Sequence, residues 1–195
     1  MDRETELTLV ERLRAGDADA FDAVHAAFNR RLFTFLLRLA RRRDAAEDLL
    51  DEVWMRLVRH APRLQPETRL GPWLFAVARN LHVSYVRSRL LEDSTAAGLM
   101  GLWPYHAPRT SPFEETAGHE LERRLERAIA TLPLAAREVL LLVGVAGLEP
   151  ADAAVVCGIT PQALRQRLHR AREALARALD RDVAKNAAVW QEVEP

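Results

Sequence analysis

The chain has 195 residues, 49% of them hydrophobic, and its 28 basic and 28 acidic side chains cancel, so two small buried cores are within reach but no net charge points to a polyanionic partner. Cys157 is the single cysteine, which excludes an internal disulfide framework and a cysteine-built zinc site. No apolar run approaches the roughly 20 residues of a membrane span and the opening Met1–Thr8 is charged, so the expectation is a cytoplasmic protein without membrane insertion.

Alanine, leucine and arginine dominate and glycine is scarce, which favours helix throughout. From Asp17 to Arg43, Phe21, Val24, Phe28, Leu32, Phe35, Leu36 and Leu39 recur at helical spacing. Asp44 precedes a second such pattern, Leu49, Leu50, Val53, Trp54, Leu57 and Val58. His60–Gly71, with Pro62 and Pro66, reads as a loop, and Pro72 suits the first turn of a third helix ending near Arg89. Periodicity stops between Leu91 and His119, where Pro104, Pro108 and Pro112 alternate with glycine, serine and threonine. It resumes at Leu121, Leu125, Ala128, Ile129 and Leu132, continues near residues 135–145, and ends in two units, 150–156 and 161–180. The expected fold is all-α: a helical domain at 1–90, a flexible linker at 91–120, a second helical domain at 121–182 and a tail at 183–195.

Charge is segregated in blocks. Residues 30–43 hold six arginines and no acid, 44–55 five acids and no base, 56–90 seven arginines against Glu67, and 91–122 six acids against Arg109. Such blocks suit a protein that meets a polyanion with some faces and a basic partner with others, although solvated helix faces that neutralise one another would give the same pattern. Lys185 is the single lysine; arginine suits phosphate and guanine recognition, but a GC-rich genome produces the same bias. No glycine-rich phosphate loop, metal-ligand spacing or nucleophile motif appears, and the six histidines are scattered, so neither enzymatic activity nor a cofactor is expected.

The C-terminal region carries the most specific motif. A short helix meets a turn at Cys157–Gly158–Ile159, Thr160 offers a capping hydroxyl, and Pro161 supplies a preset first helical residue. In the next helix Leu164, Leu168, Ala171 and Leu175 share one face; Gln162, Arg165, Gln166 and His169 share the opposite one, edged by Arg170 and Arg172. This is a helix-turn-helix pattern whose outer face holds the residue types that pair with guanine and adenine edges in the major groove. An amphipathic helix with an ordinary charged exterior is the plainer reading.

The stretch ITPQALRQRLHRAR, preceded by ATLPLAAREVLLL, resembles region 4 of bacterial RNA polymerase sigma factors of the extracytoplasmic-function group. Further upstream, AAEDLLDEVWMRLVRH resembles their polymerase-binding region 2 helix, and GPWLFAVARNLHVSYVRSR their −10 recognition helix. The resemblance covers roughly residues 10–90 and 121–180. It implies that Asp48, Asp51, Glu52 and Arg56 dock on the core polymerase. It further implies that the −10 element meets Arg63, Arg69, Trp73, Arg79, Asn80, Val83 and Arg87, with His60–Leu70 forming a pocket for a flipped base. By the same resemblance Gln162, Arg165, Gln166, His169, Arg170 and Arg172 meet the −35 element, and the acidic linker threads the RNA exit path. The implied partners are core RNA polymerase, promoter DNA and an anti-sigma protein. Ser84 stands where the family usually has aspartate, and Asp152-Ala153-Ala154 where it has Glu-Ile-Ala. A helix-turn-helix regulator that is no polymerase subunit is the competing reading; it leaves the acids at 48–52 and the face of Arg79 and Arg87 unexplained.

Overall fold

Aspartates open the first two helices. In α1 (Arg3–Arg14) the Asp2 side chain accepts from the Thr5 amide at 2.9 Å. In α2 (Ala18–Ala40) Asp17 accepts from Asp19 at 2.9 Å and Ala20 at 3.3 Å, satisfying amides that have no partner inside the helix. Arg41 ends α2 in the left-handed region, φ 58°, the one non-glycine residue of positive φ among the described residues. Then come α3 (Arg43–His60), a 3-10 turn (Ala61–Arg63), α4 (Leu70–Ala96), α5 (Ala117–Ala130), α6 (Leu134–Gly144), α7 (Pro150–Cys157) and α8 (Pro161–Gln191). The computed structural model describes residues 2–96 and 117–191, with side chains for 2–91 and 120–181. Most of the expected linker, 91–120, and its path therefore lie outside the described residues.

Three elements differ from the sequence expectation. Helix α1 was not expected, because only Leu9, Val10 and Leu13 are buried in a charged segment too short to establish a period. Helix α4 continues past Arg89, and α8 runs through most of the stretch expected as a tail. All described secondary structure is helical.

The N-terminal helices bury Phe28, Leu32, Phe35 and Leu36 of α2, Val53, Trp54 and Leu57 of α3, and Leu74, Phe75 and Ala78 of α4. The C-terminal helices bury Ile129, Val139, Leu142, Ala153, Val156, Leu164 and Leu168. These sets join into one core, because α6 packs on α2 and α7 packs on α4. Where the sequence suggests two helical units on a tether, the structure sets them against each other. The reason lies in α4. Beside the buried Leu74, Ala78 and Leu81 runs a second stripe, Gly71, Phe75, Arg79 and His82, spaced four, four and three residues apart. With Phe75 buried beside Leu74 and Ala78, the apolar surface of α4 spans two adjacent sectors and needs neighbours on both.

Candidate nucleic-acid interfaces

Three surfaces carry the residues singled out from sequence. On α3, Asp48 and Asp51 are exposed. Glu52 binds the guanidinium of Arg56 at 2.9 Å and that of Arg59 at 2.8 Å. The Arg56 hydrogen bond holds the Glu52 carboxyl below its ordinary value. Beyond these acids stand Met55, which the sequence pattern does not single out, and Val58, expected within the apolar pattern of the helix; each is 54% exposed. Met55 lies four residues beyond Asp51 and Val58 three beyond Met55, so they continue the acidic face as an apolar stripe. Such a mixture suits a protein partner better than a purely solvated surface.

The second surface spans the segment before α4 and the outer side of α4. Ala61 and Leu64 anchor this segment in the core while Arg63 is exposed. Helix α1 clamps it from the other side. Arg3 donates to the Glu67 carbonyl at 2.7 Å, and the buried Leu70 amide donates to Glu6 Oε1 at 2.8 Å. Glu6 thus caps α4 from another helix, a role invisible to any local rule. Trp73 is half-buried, its ring centroid 6.2 Å from that of His60, and so presents part of an aromatic face beside the segment. Asn80 and Arg87 are exposed and Val83 is half-buried.

Two members of this surface are engaged within the molecule. Arg69 is ion-paired with the buried Asp152 of α7. Arg79, expected on the outer face, turns toward Glu138 of α6, whose side chain is 4% exposed. Its Nε lies 3.3 Å from Oε1 and Nη2 donates to Oε2 at 3.4 Å, yet the buried Nε has no hydrogen bond of good geometry. His82 is buried beside them; burial first, then the positive charges of Arg137 and Arg79, push its pKa down to about 4, so it is neutral.

The third surface is the helix-turn-helix formed by α7 and α8. Gly158 makes the turn at φ 64°, in the left-handed region that favours glycine. Thr160 Oγ1 accepts from the Ala163 amide at 3.1 Å and caps α8. Leu164, Leu168 and Ala171 are buried, Leu175 partly so. Gln162, Arg165, Gln166, His169, Arg170 and Arg172 are all exposed, as amphipathic spacing requires, with His169 Nε2 3.3 Å from Glu173 Oε1. Cys157 is buried, and burial raises its thiol pKa, which suits a small hydrophobe. Among the described residues no group of histidine, cysteine and carboxylate side chains could hold a metal ion.

Comparison with known proteins identifies the family. Residues 24–92 match the family model for sigma-70 region 2, and residues 122–175 match that for sigma-70, region 4. The chain is 34% identical over 155 residues to the ECF RNA polymerase sigma factor EcfG of Rhodopseudomonas palustris, covering 80% of this chain and 82% of that protein. It is 32% identical over 170 residues to the RNA polymerase sigma factor CarQ of Myxococcus xanthus, covering 87% and 95%. Among solved structures, the sigma factor RpoE in complex with the anti-sigma factor NepR from Bartonella quintana superposes with a TM-score of 0.69 at 25% identity, covering 82% of this chain and 96% of that one.

Proposed function

This chain belongs to the extracytoplasmic-function group of RNA polymerase sigma factors, which bind core polymerase and direct it to promoters, and we propose that it does so through the three surfaces described above. The domains are taken as 1–90 and 121–182. The acidic face of α3, with Asp48, Asp51, Glu52 and Arg56, docks on the core enzyme; Met55 and Val58 supply the apolar part of that contact. Arg63, Arg69, Arg79 and Arg87 hold phosphates of the −10 strand, while Trp73, Asn80 and Val83 line the path of its bases. The exposed face of α8 reads the −35 element in the major groove, with Arg170 and Arg172 on phosphates. Chemistry stays with the polymerase and this chain contributes binding surfaces alone. It therefore acts in the cytoplasm, and, as with the RpoE–NepR pair, an anti-sigma protein holds it in check.

The observation that carries this reading is the co-occurrence, in one chain, of an outward-facing helix-turn-helix and an acidic, partly apolar α3 face. The test is transcription in vitro. Core polymerase mixed with this chain should initiate at discrete promoters selected from random DNA. Replacing Asp48, Asp51 and Glu52 together with alanine should abolish holoenzyme assembly and leave helical content unchanged. A chain that binds DNA but never programs core polymerase would instead be an ordinary regulator.

A further inference from the structure

We propose that α1 sets the stringency of −10 recognition, with Arg3 and Glu6 as positioning residues for the segment between Leu64 and Leu70. This rests on the assignment of that segment and the first turns of α4 to the −10 strand. Local sequence holds the segment only in part. Leu64 and Leu70 are buried at its two ends, and between them the Thr68 amide donates to the Gln65 carbonyl at 3.0 Å. Arg69 precedes α4 but its side chain has no acceptor, so it cannot cap the helix it introduces. Helix α1 supplies the missing partners from more than sixty residues away. Arg3 Nη2 donates to the Glu67 carbonyl at 2.7 Å, and Nη1 donates to the Thr68 carbonyl at 3.5 Å. Glu6 Oε1 accepts from the Leu70 amide at 2.8 Å, while its Oε2 accepts from Arg3 at 2.7 Å. One ion pair thus binds backbone groups on both sides of the junction between segment and helix.

The helix that carries this pair is anchored independently of it. Leu9, Val10 and Leu13 are buried in the core, and α1 packs on α2 and on the 3-10 turn. Glu6 keeps only 13% of its side chain exposed, and its carboxylate at the start of α4 is also favoured by the helix dipole. The segment so held carries Arg69 and leads directly to Trp73. Bases are told apart by groups whose positions are set before the strand arrives. A loose segment adjusts to right and wrong bases alike, and ordering it costs binding energy. Removing the pair leaves the buried leucines in place, so the fold survives and the loss falls on discrimination. The match to the region 2 model begins at residue 24, so α1 adds this control from outside the matched residues.

The test uses full-length variants assembled into holoenzyme and reads open-complex formation on a promoter and on its single-base −10 and −35 substitutions. Arg3→Ala and Glu6→Ala should each lower discrimination at one or two −10 positions about threefold to tenfold, part of what a mismatched base pair ordinarily costs. Discrimination at −35, affinity for core polymerase and helical content by circular dichroism should match the parent. Glu6→Gln keeps an oxygen for the Leu70 amide and should retain most of the discrimination. Arg12→Ala breaks the 2.7 Å Arg12–Asp17 pair of the same helix and removes the same charge as Arg3→Ala, yet should leave discrimination unchanged. Hydrogen exchange at the Leu70 amide should be faster in both alanine variants at positions 3 and 6. The proposal is overturned if those variants weaken preferred and substituted promoters alike, or if the Leu70 amide is released without loss of −10 discrimination. Asn80→Ala separates that failure from a wrong assignment of the surface. If Asn80→Ala shifts −10 preference, the −10 reading stands and only the role of α1 fails; if it shifts nothing, that reading falls and the proposal with it.

Discussion

On α8, Arg165, Gln166 and Arg172 stand in solvent, whereas on α4 the buried Nε of Arg79 faces Glu138 and His82 is 2% exposed. Both helices carry arginine-rich faces of the kind that meets DNA. Their difference comes from what each helix has on its other sides. The apolar residues of α8 form one stripe, so its polar face is left open by geometry. Those of α4 form two neighbouring stripes, and the second, starting at Gly71 and Phe75, draws α7 over the helix and brings α6 to Arg79. The same residue type stands in solvent on one helix and is half of an ion pair on the other. Composition of a face therefore fixes what it can bind, and only packing fixes whether it is available.

The largest expected effect concerns the covered face. Because the folded chain keeps His82 neutral down to about pH 4 while an unfolded chain protonates it near 6.5, stability is full above pH 6.5 and is lost progressively as the pH falls toward 4. The loss from this group is on the order of 3 kcal/mol, and His82→Leu should flatten the pH dependence of urea unfolding across that window. An unchanged slope in the variant would place His82 in a more hydrated site and weaken the contrast between the two faces.

The open face should respond in function and not in stability. Arg165→Ala should cost about 1–3 kcal/mol on the preferred promoter and relax discrimination at one or two base pairs, with the unfolding midpoint unchanged. Arg172→Ala should weaken all sequences alike and flatten the salt dependence. A scan of −35 substitutions with each mutant holoenzyme separates the two. Equal loss on every promoter for Arg165→Ala would mean that α8 docks in another orientation.

The smallest effect tests how the open face is held. Thr160→Ala removes the hydroxyl that accepts from Ala163, and should cost about 1 kcal/mol of stability through loss of the cap. Promoter preference should be retained with slightly weaker binding, since α8 frays at the end proposed to enter the groove. A change in preferred sequence would show that the cap also sets the angle of the helix.

Legibility from sequence followed the range of the interactions. The helix-turn-helix was readable to the residue: Thr160 caps, Gly158 turns, and the exposed set on α8 matches its spacing, because caps, turns and amphipathic faces depend on residues within a few positions of one another. The acids of α3 were readable too, but Met55 was missed and Val58 was counted with the apolar pattern, since an apolar residue beside a core stripe looks like core until its exposure is seen. Helix α1 escaped because three buried residues make no period. Its contribution, Glu6 on the Leu70 amide and Arg3 on the Glu67 carbonyl, joins positions more than sixty residues apart.

The sequence by itself determined an all-helical chain, the positions of most helices, the identity of the two units and the chemistry of their outward faces. These follow from periodicity and capping, which act over one or two turns. Only the tertiary structure decided that the units share a core, that Arg69 and Arg79 meet Asp152 and Glu138, and that His82 is stripped of water. Those outcomes depend on which of two adjacent apolar sectors on α4 finds which partner, and local spacing contains no information about a neighbour sixty or eighty residues away.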